Sequence, residues 1–476
     1  MRRLGRWRVL ALLAVFALVV AACSQETEDT TAETQPPATT ATTVAEETPT
    51  ETTMAEETPT ETTMAEPMLT LGAGVTEEPC EGGNPDNGCI YLGVLTDESG
   101  PFAGASGGLY GGQSLFWATV TAEGGIGGAF DVVLPADLKK DTAYQPEKLV
   151  ADYNTIAEDV AAIAQSLGTP QTVAVLPDYE RDSTIAAPMS WWSGWAFIDN
   201  VIEFGTGYCF EAMNAIDWAT QALPAAGRDF ATIGILEFPS DYGFDYAEGV
   251  KYAAAANGQT VAWEEVVIPV SAGGDPAQTE AVAKIVAEPT DVVILVTGPS
   301  ETAAIVGGAA QQLGANVPVF IGAAPSWNSA LLASAAAPAF ELGIYYQSSF
   351  VGGWDYDSPG HEKMRTAVTG AGFPANDFFI SGWVSQYGIK AALEAAYAAG
   401  DLSHDGIEAA AFALTDVSYE GMMPERSFAG DANDVYPREG DIGGYSADAT
   451  TVIATIQDYF VGPSAARYEF TEACAG

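Results

Sequence analysis

The chain has 476 residues, 48% of them apolar and 10% aromatic, enough for two or three domains with sizeable cores. Its 64 acidic residues against 17 basic ones leave a formal charge of −47. That charge repels nucleic acid and anionic membrane surfaces, so neither is expected as a partner, and solubility is its plain reading. Two histidines, and no HExxH, paired CxxC, P-loop or strand-following GxGxxG, give no motif for catalytic zinc or a nucleotide, so no metal and no cofactor are expected.

At the N-terminus Arg2, Arg3, Arg6 and Arg8 precede an apolar run from Val9 to Ala22. The run is shorter than the roughly 20 residues that span a bilayer, and Val20-Ala21-Ala22-Cys23 resembles a bacterial lipobox. Residues 1–22 therefore read as a signal peptide. Cys23 is expected to carry a lipid that anchors the protein outside the cytoplasm, the only membrane contact foreseen. Residues 23–79 read as a tether: Thr, Glu, Pro and Ala dominate most of this stretch, and AEETPTETTM at 45–54 recurs at 55–64. So few large apolar side chains cannot offset the entropy of ordering. Cys80, Cys89, Cys209 and Cys474 remain, an even number in an exported chain, and two disulfides are expected. Three pairings exist; Cys80 with Cys89 and Cys209 with Cys474 are favoured, the first closing a small loop and the second tying down the tail.

Beyond Cys89, apolar runs alternate with helical patterns. Strands are predicted over 90–95, 130–134, 160–165, 231–237, 260–268, 291–297, 317–321 and 343–350. Helices are predicted over 108–122, 145–157, 170–180, 211–222, 241–257, 276–287, 299–314, 326–336, 359–370 and 381–399. This βα alternation implies parallel sheets covered on both faces, and too many strands for one lobe. In such folds ligands bind beyond the carboxyl ends of the strands, so a cleft is expected at the glycine-rich stretch Phe102–Gly108.

Leu92-Gly93-Val94-Leu95, then Ser99-Gly100-Pro101-Phe102-Ala103, a helix, and Ala122-Glu123-Gly124-Gly125-Ile126-Gly127-Gly128 resemble the opening of type I solute-binding proteins of the branched-chain amino acid ABC transporter class. The resemblance spans roughly Cys89 to Cys474. It implies two Rossmann-like α/β lobes joined by a three-crossing hinge, 80–209 with 350–420 and 210–349 with 421–476. It also implies a monomeric, non-enzymatic protein that captures a small molecule for a permease and ATPase complex. A ligand sensor of the same fold is the alternative.

The resemblance also suggests a site. Ser166, Gly168 and Thr169 fall at the family's first carboxylate-holding turn, and Ser190, Trp191, Trp192 and Ser193 at its second. The tryptophans there suit stacking against an apolar or flat ligand, although core packing explains them as well. From the second lobe come Tyr242, Gly298, Glu301 and Trp327, with Phe102 facing them from the first. The turn 322–328 lacks the acid that pairs with a ligand ammonium in amino-acid binders. Either Glu301 substitutes, or the ligand is not a zwitterion. Branched-chain amino acids lead on resemblance, followed by small amides and aromatic acids.

One enzymatic reading remains. Gly104-Ala105-Ser106-Gly107-Gly108 satisfies the hydrolase pattern G-x-S-x-G, but Ser106 stands eleven residues beyond Leu95, too far for a nucleophile elbow. His361 and His404 lie in polar, helix-starting contexts that read as solvated.

Overall fold

Val292-Val293-Ile294-Leu295-Val296 is buried along its whole length inside a seven-stranded sheet of the computed structural model, which describes residues 69–270, 275–469 and 471–475. An unbroken aliphatic run is what a parallel strand covered on both faces requires. On one side lie Thr232–Glu237 and then Thr260–Val266. On the other lie Val319–Gly322, Tyr345–Ser349, Gly440–Tyr445 and Ile453–Phe460. Pairing is parallel except at the last two strands, which are antiparallel. The signal peptide, Cys23 and the tether as far as residue 68 lie outside the described residues, whereas part of 69–79, expected as the end of the disordered tether, is ordered by strand pairing: Thr70–Leu71 lies beside Asp401–Leu402 and Val75–Thr76 beside Gly88–Thr96.

A second sheet of six strands is built around Gly88–Thr96. One half of that strand pairs with Phe130–Val133 and the other with Lys139–Asp141, and Ala162–Leu167 and Ala186–Met189 follow on its far side. The chain passes between the two sheets three times. It leaves the six-stranded sheet after Ala186–Met189, returns after Tyr345–Ser349 to helices Pro359–Gly370, Asp377–Val384 and Gln386–Ala399, and rejoins the seven-stranded sheet at Gly440–Tyr445. The cysteines pair as Cys80–Cys89 and Cys209–Cys474.

All eight predicted strands form, with ends shifted by no more than two residues. Three helices differ. The stretch expected as a glycine-rich loop is helical from Ala103, so Gly104 and Gly108 belong to the helix Ala103–Ala122. Some of its glycines serve packing: a Cβ on Gly112 would lie 2.4 Å from Phe379 O, and one on Gly382 of the facing helix would lie 2.1 Å from Leu109 O. Helices Ala103–Ala122 and Asp377–Val384 thus meet backbone to backbone. The helix expected over 326–336 is a short 3₁₀ turn, Ser329–Ala333, because Asn328 and Ser334 side chains take up backbone groups that a helix would use. That expected over 381–399 starts at Asp377 and breaks at Ser385, whose hydroxyl donates to Gly382 O.

Candidate ligand-binding cleft

The turn after Gly88–Thr96 is set by one buried carboxylate. Asp97 Oδ1 accepts from the N–H groups of Ser99 and Gly100, and Oδ2 accepts from Phe102 N–H at 2.8 Å. This fixes the ring of Phe102 against Tyr144, with centroids 5.1 Å apart. At the end of Ala162–Leu167 the backbone turns at Gly168 with φ 96°. A Cβ there would sit 2.2 Å from Gln171 Oε1 and 2.6 Å from the Tyr144 ring, so both conformation and space demand glycine. Thr169 then opens the next helix. After Ala186–Met189 come Ser190 and Trp191, the latter stacked on Phe350 with centroids 4.3 Å apart.

These residues form one wall of a cavity of about 1060 Å³, counting its opening to solvent. The opposite wall comes from the seven-stranded sheet and the chain crossings: Tyr208, Tyr242, Ala324, Pro325, Trp327, Gln347, Ser349 to Gly353, Asp441, Gly443, Ile453 and Thr455. Asp377, Phe378, Ile380 and Ser381, at the start of the helix Asp377–Val384, close one side. Most of these side chains are apolar. Among the described residues no lysine, arginine or histidine lines the space.

Of the residues singled out in the sequence, the cavity brings together Phe102, Gly168, Thr169, Ser190, Trp191, Tyr242 and Trp327. The other five lie elsewhere. Ser166 is inside the strand, its hydroxyl 2.8 Å from Thr172 Oγ1 and 3.1 Å from Tyr179 OH. Trp192 turns away and donates Nε1–H to Ala475 O at 2.9 Å. Ser193 is held by the buried Asp245, which accepts from its N–H at 3.0 Å and its hydroxyl at 2.6 Å. Asp245 also accepts from Cys209 N–H and Ala475 N–H, so the disulfide-tied tail draws the turn at 192–193 away from the cleft. Glu301 accepts from Val270 N–H at 2.8 Å, and Gly298 packs beneath its carboxylate.

Three buried polar atoms of the first wall have no partner: Thr169 Oγ1, Ser190 Oγ and Trp191 Nε1. Unpaired buried donors are costly and unusual, and in a cavity they mark where a ligand or water completes the bonding. Electrostatically the cavity holds acids alone. Burial pushes Asp441 up to about 8 and Asp377 up to about 6. Behind Ala324, Glu211 accepts from Ala324 N–H at 2.7 Å and from Ser348 Oγ, and burial pushes it up to about 8 as well. An acid therefore stands behind the turn where sequence reading found none, but it comes from the helix Tyr208–Ala225 and faces the backbone.

Ser106 belongs to the helix Ala103–Ala122, not to a strand-to-helix elbow, and among the described residues neither histidine bonds to it. The histidines are not solvated as expected. His361 is fully buried between Ser358 Oγ and Gly352 O, and burial pulls it down to about 4. His404 is half-buried, its ring nitrogens 2.7 Å from Val160 O and 2.9 Å from Asp182 O. His361 thus braces the local turn before its own helix, whereas His404 staples segments distant in sequence.

A lobe-by-lobe α/β arrangement with its cavity beyond the strand ends defines a binding protein of the periplasmic type. The family model for periplasmic binding proteins matches residues 89–436, and the chain belongs to that family. Its members are extracytoplasmic, non-catalytic solute-binding components of ABC transporters. The fold is similar to that of a fatty acid ABC transporter substrate-binding protein from Thermomonospora curvata, at 24% identity and TM-score 0.74 over 84% of this chain and 97% of that one. It is also similar to a branched-chain amino acid ABC transporter protein from Thermus thermophilus with bound valine, at 14% identity and TM-score 0.67 over 80% and 98%. A solute-binding protein from R. palustris in complex with benzoate aligns at 16% identity and TM-score 0.62 over 78% and 96%. A comparison with curated proteins found no match.

Proposed function

We propose that this protein is a lipoprotein, anchored through Cys23, that captures a small apolar-bodied carboxylate or amide in its cleft and delivers it to an ABC permease and ATPase. The lobes 80–209 with 350–420 and 210–349 with 421–476 close on the ligand about the three chain crossings, as hinged binding proteins do. One observation carries the ligand class: three unpaired buried donors, Thr169 Oγ1, Ser190 Oγ and Trp191 Nε1, set in an otherwise apolar wall. Donors without a cation suit an acceptor held by hydrogen bonds alone. Fatty acids, valine and benzoate, named for three proteins of similar fold, all join a carboxylate to an apolar body. A second reading, a branched-chain or other apolar amino acid, is favoured by Asp377, which burial pushes up only to about 6 and which, ionised near neutral pH, would offset an ammonium.

Thermal-shift screening of aliphatic and aromatic carboxylates, their amides, amino acids and sugars tests the reading. A ligand at about 100 times its Kd stabilises the fold by about 2.7 kcal/mol. Shifts are expected with apolar carboxylates or amides; a shift confined to sugars or metal ions would overturn the assignment.

A further inference from the structure

Asp441 is the odd member of the cavity lining. It is 2% exposed, on the wall formed by the seven-stranded sheet, whereas Thr169, Ser190 and Trp191 belong to the other wall. Its Oδ2 accepts from Thr455 Oγ1 at 3.1 Å, and Thr455 in turn accepts from Gly353 N–H at 3.3 Å. The neighbouring Ser349 hydroxyl donates to Val351 O at 2.8 Å. Asp441 Oδ1 is buried and has no hydrogen-bond partner among the described residues.

We propose that Asp441 acts as a neutral acid whose Oδ1–H is a second anchor, donating to a hydrogen-bond acceptor at the far end of the ligand. The ligand is then an apolar body with an acceptor at each end, a carboxylate toward Thr169 and Ser190 and a carbonyl or amide oxygen toward Asp441. This deepens the ligand class proposed for the same cleft and rests on it. Burial outweighs the hydrogen bonds from Thr455, Ser349 and the backbone that favour the ionised form, and the titratable groups around Asp441 add no positive charge. They are Asp458 and Tyr459 from the strand Ile453–Phe460, Tyr356 from the crossing after Ser349, and Glu211 from the helix Tyr208–Ala225. None is cationic. Burial is the main cause that holds the proton, up to about pH 8. A fixed hydroxyl donor in a dry pocket rejects a ligand lacking the matching acceptor because its own bond is then left unmade.

The test uses straight-chain carboxylates from butanoate to octanoate, each with its ω-amide, taken as the N,N-dimethylamide so that it accepts a hydrogen bond but donates none, and its ω-ammonium counterpart, titrated calorimetrically into the full-length protein. At about pH 6.5 the best ω-amide should bind about tenfold more tightly than the plain carboxylate of the same length, the worth of one buried hydrogen bond. That advantage should vanish at about pH 9.5, where Asp441 has lost its proton. Asp441→Asn keeps a donor and should make the preference independent of pH; Asp441→Leu should remove it. The proposal is overturned if the ω-ammonium compounds bind best and tighten as pH rises, which is the behaviour of an ionised Asp441. It is equally overturned if the amide preference survives in Asp441→Leu. Should no member of the series bind, plain carboxylates included, the cleft assignment itself fails, an outcome distinct from loss of the amide preference alone.

Discussion

Gly168 and Thr169 show how much rests on two adjacent residues. Gly168→Ala forces a non-glycine residue to φ 96° and drives its Cβ into Gln171 and Tyr144, so a loss of about 1–3 kcal/mol is expected in denaturant unfolding. Thr169→Val should do the reverse to the free protein. It removes a buried hydroxyl that has no partner, so ligand-free stability should rise or hold while ligand affinity falls by about tenfold. A change that left both quantities untouched would mean that Thr169 meets no ligand. Trp191→Phe keeps a ring against Phe350 but deletes the unpaired Nε1–H, and a smaller loss of affinity is expected from the same titration. At this scale the sequence was informative at the ends of Ala162–Leu167 and Ala186–Met189, where Gly168, Thr169 and Ser190 reach the cavity, but not after Val292–Val296, where Gly298 does not. It was silent on Asp377 and Asp441, because nothing local marks a carboxyl that distant segments bury.

The turn at Trp192-Ser193 is the clearest case of an element governed from far away. Its sequence, rich in serine and tryptophan beside a strand end, reads as cleft lining. Asp245, Cys209 and the tail around Cys474 and Ala475 instead hold it as a clasp. Strands were legible because an aliphatic run needs only its own composition to be recognised. Gly440–Tyr445 and Lys139–Asp141 were not, since glycine-rich and charged segments become strands only through their partners. The early start of the helix Ala103–Ala122 was hidden for a related reason: Gly108, Gly111 and Gly112 look like loop residues until the helix Asp377–Val384 is laid against them, while Gly104 and Gly107 face open space. The clasp gives two expectations. Thiol counting on the denatured, unreduced protein should find no free thiol among Cys80, Cys89, Cys209 and Cys474. Replacing Cys209 and Cys474 together by serine should lower stability by about 2–5 kcal/mol, and an unchanged denaturation midpoint would deny the clasp its role.

Across the whole molecule the buried acids set the pH response. Asp441 and Glu211 keep their protons up to about 8, whereas an unfolded carboxylate loses its own near 4. Between these values the folded state binds more protons than the unfolded chain, so stability falls as pH rises and levels off above about 8. His361, pulled down to about 4, works the other way, but its effect is complete by about pH 6.5, the unfolded value. From about pH 6.5 to 8 the acids act alone, and at about 1.4 kcal/mol per pH unit for each protonated acid a decline of about 2–3 kcal/mol per unit is expected in chemical denaturation, easing as pH nears 8. A flat or rising profile in that window would show these carboxyls to be ionised in the folded protein. The two-sheet architecture and the region of the cleft were legible from periodicity and from the resemblance at Leu92–Gly128, whereas the wall built by the chain crossings was not. Residues from 350 to 353, 377 to 381 and 441 to 455 come together only once the chain has passed between the sheets three times.

The most direct measurement is calorimetric titration of apolar carboxylates and amides into the wild-type protein and into a Thr169→Val, Ser190→Ala double variant, with unfolding curves confirming that the variant is folded. Saturable one-to-one binding is expected for at least one such compound, weakened by about tenfold or more in the variant. Equal affinity in the two proteins, or binding by sugars alone, would contradict a ligand held by the donors of this cleft.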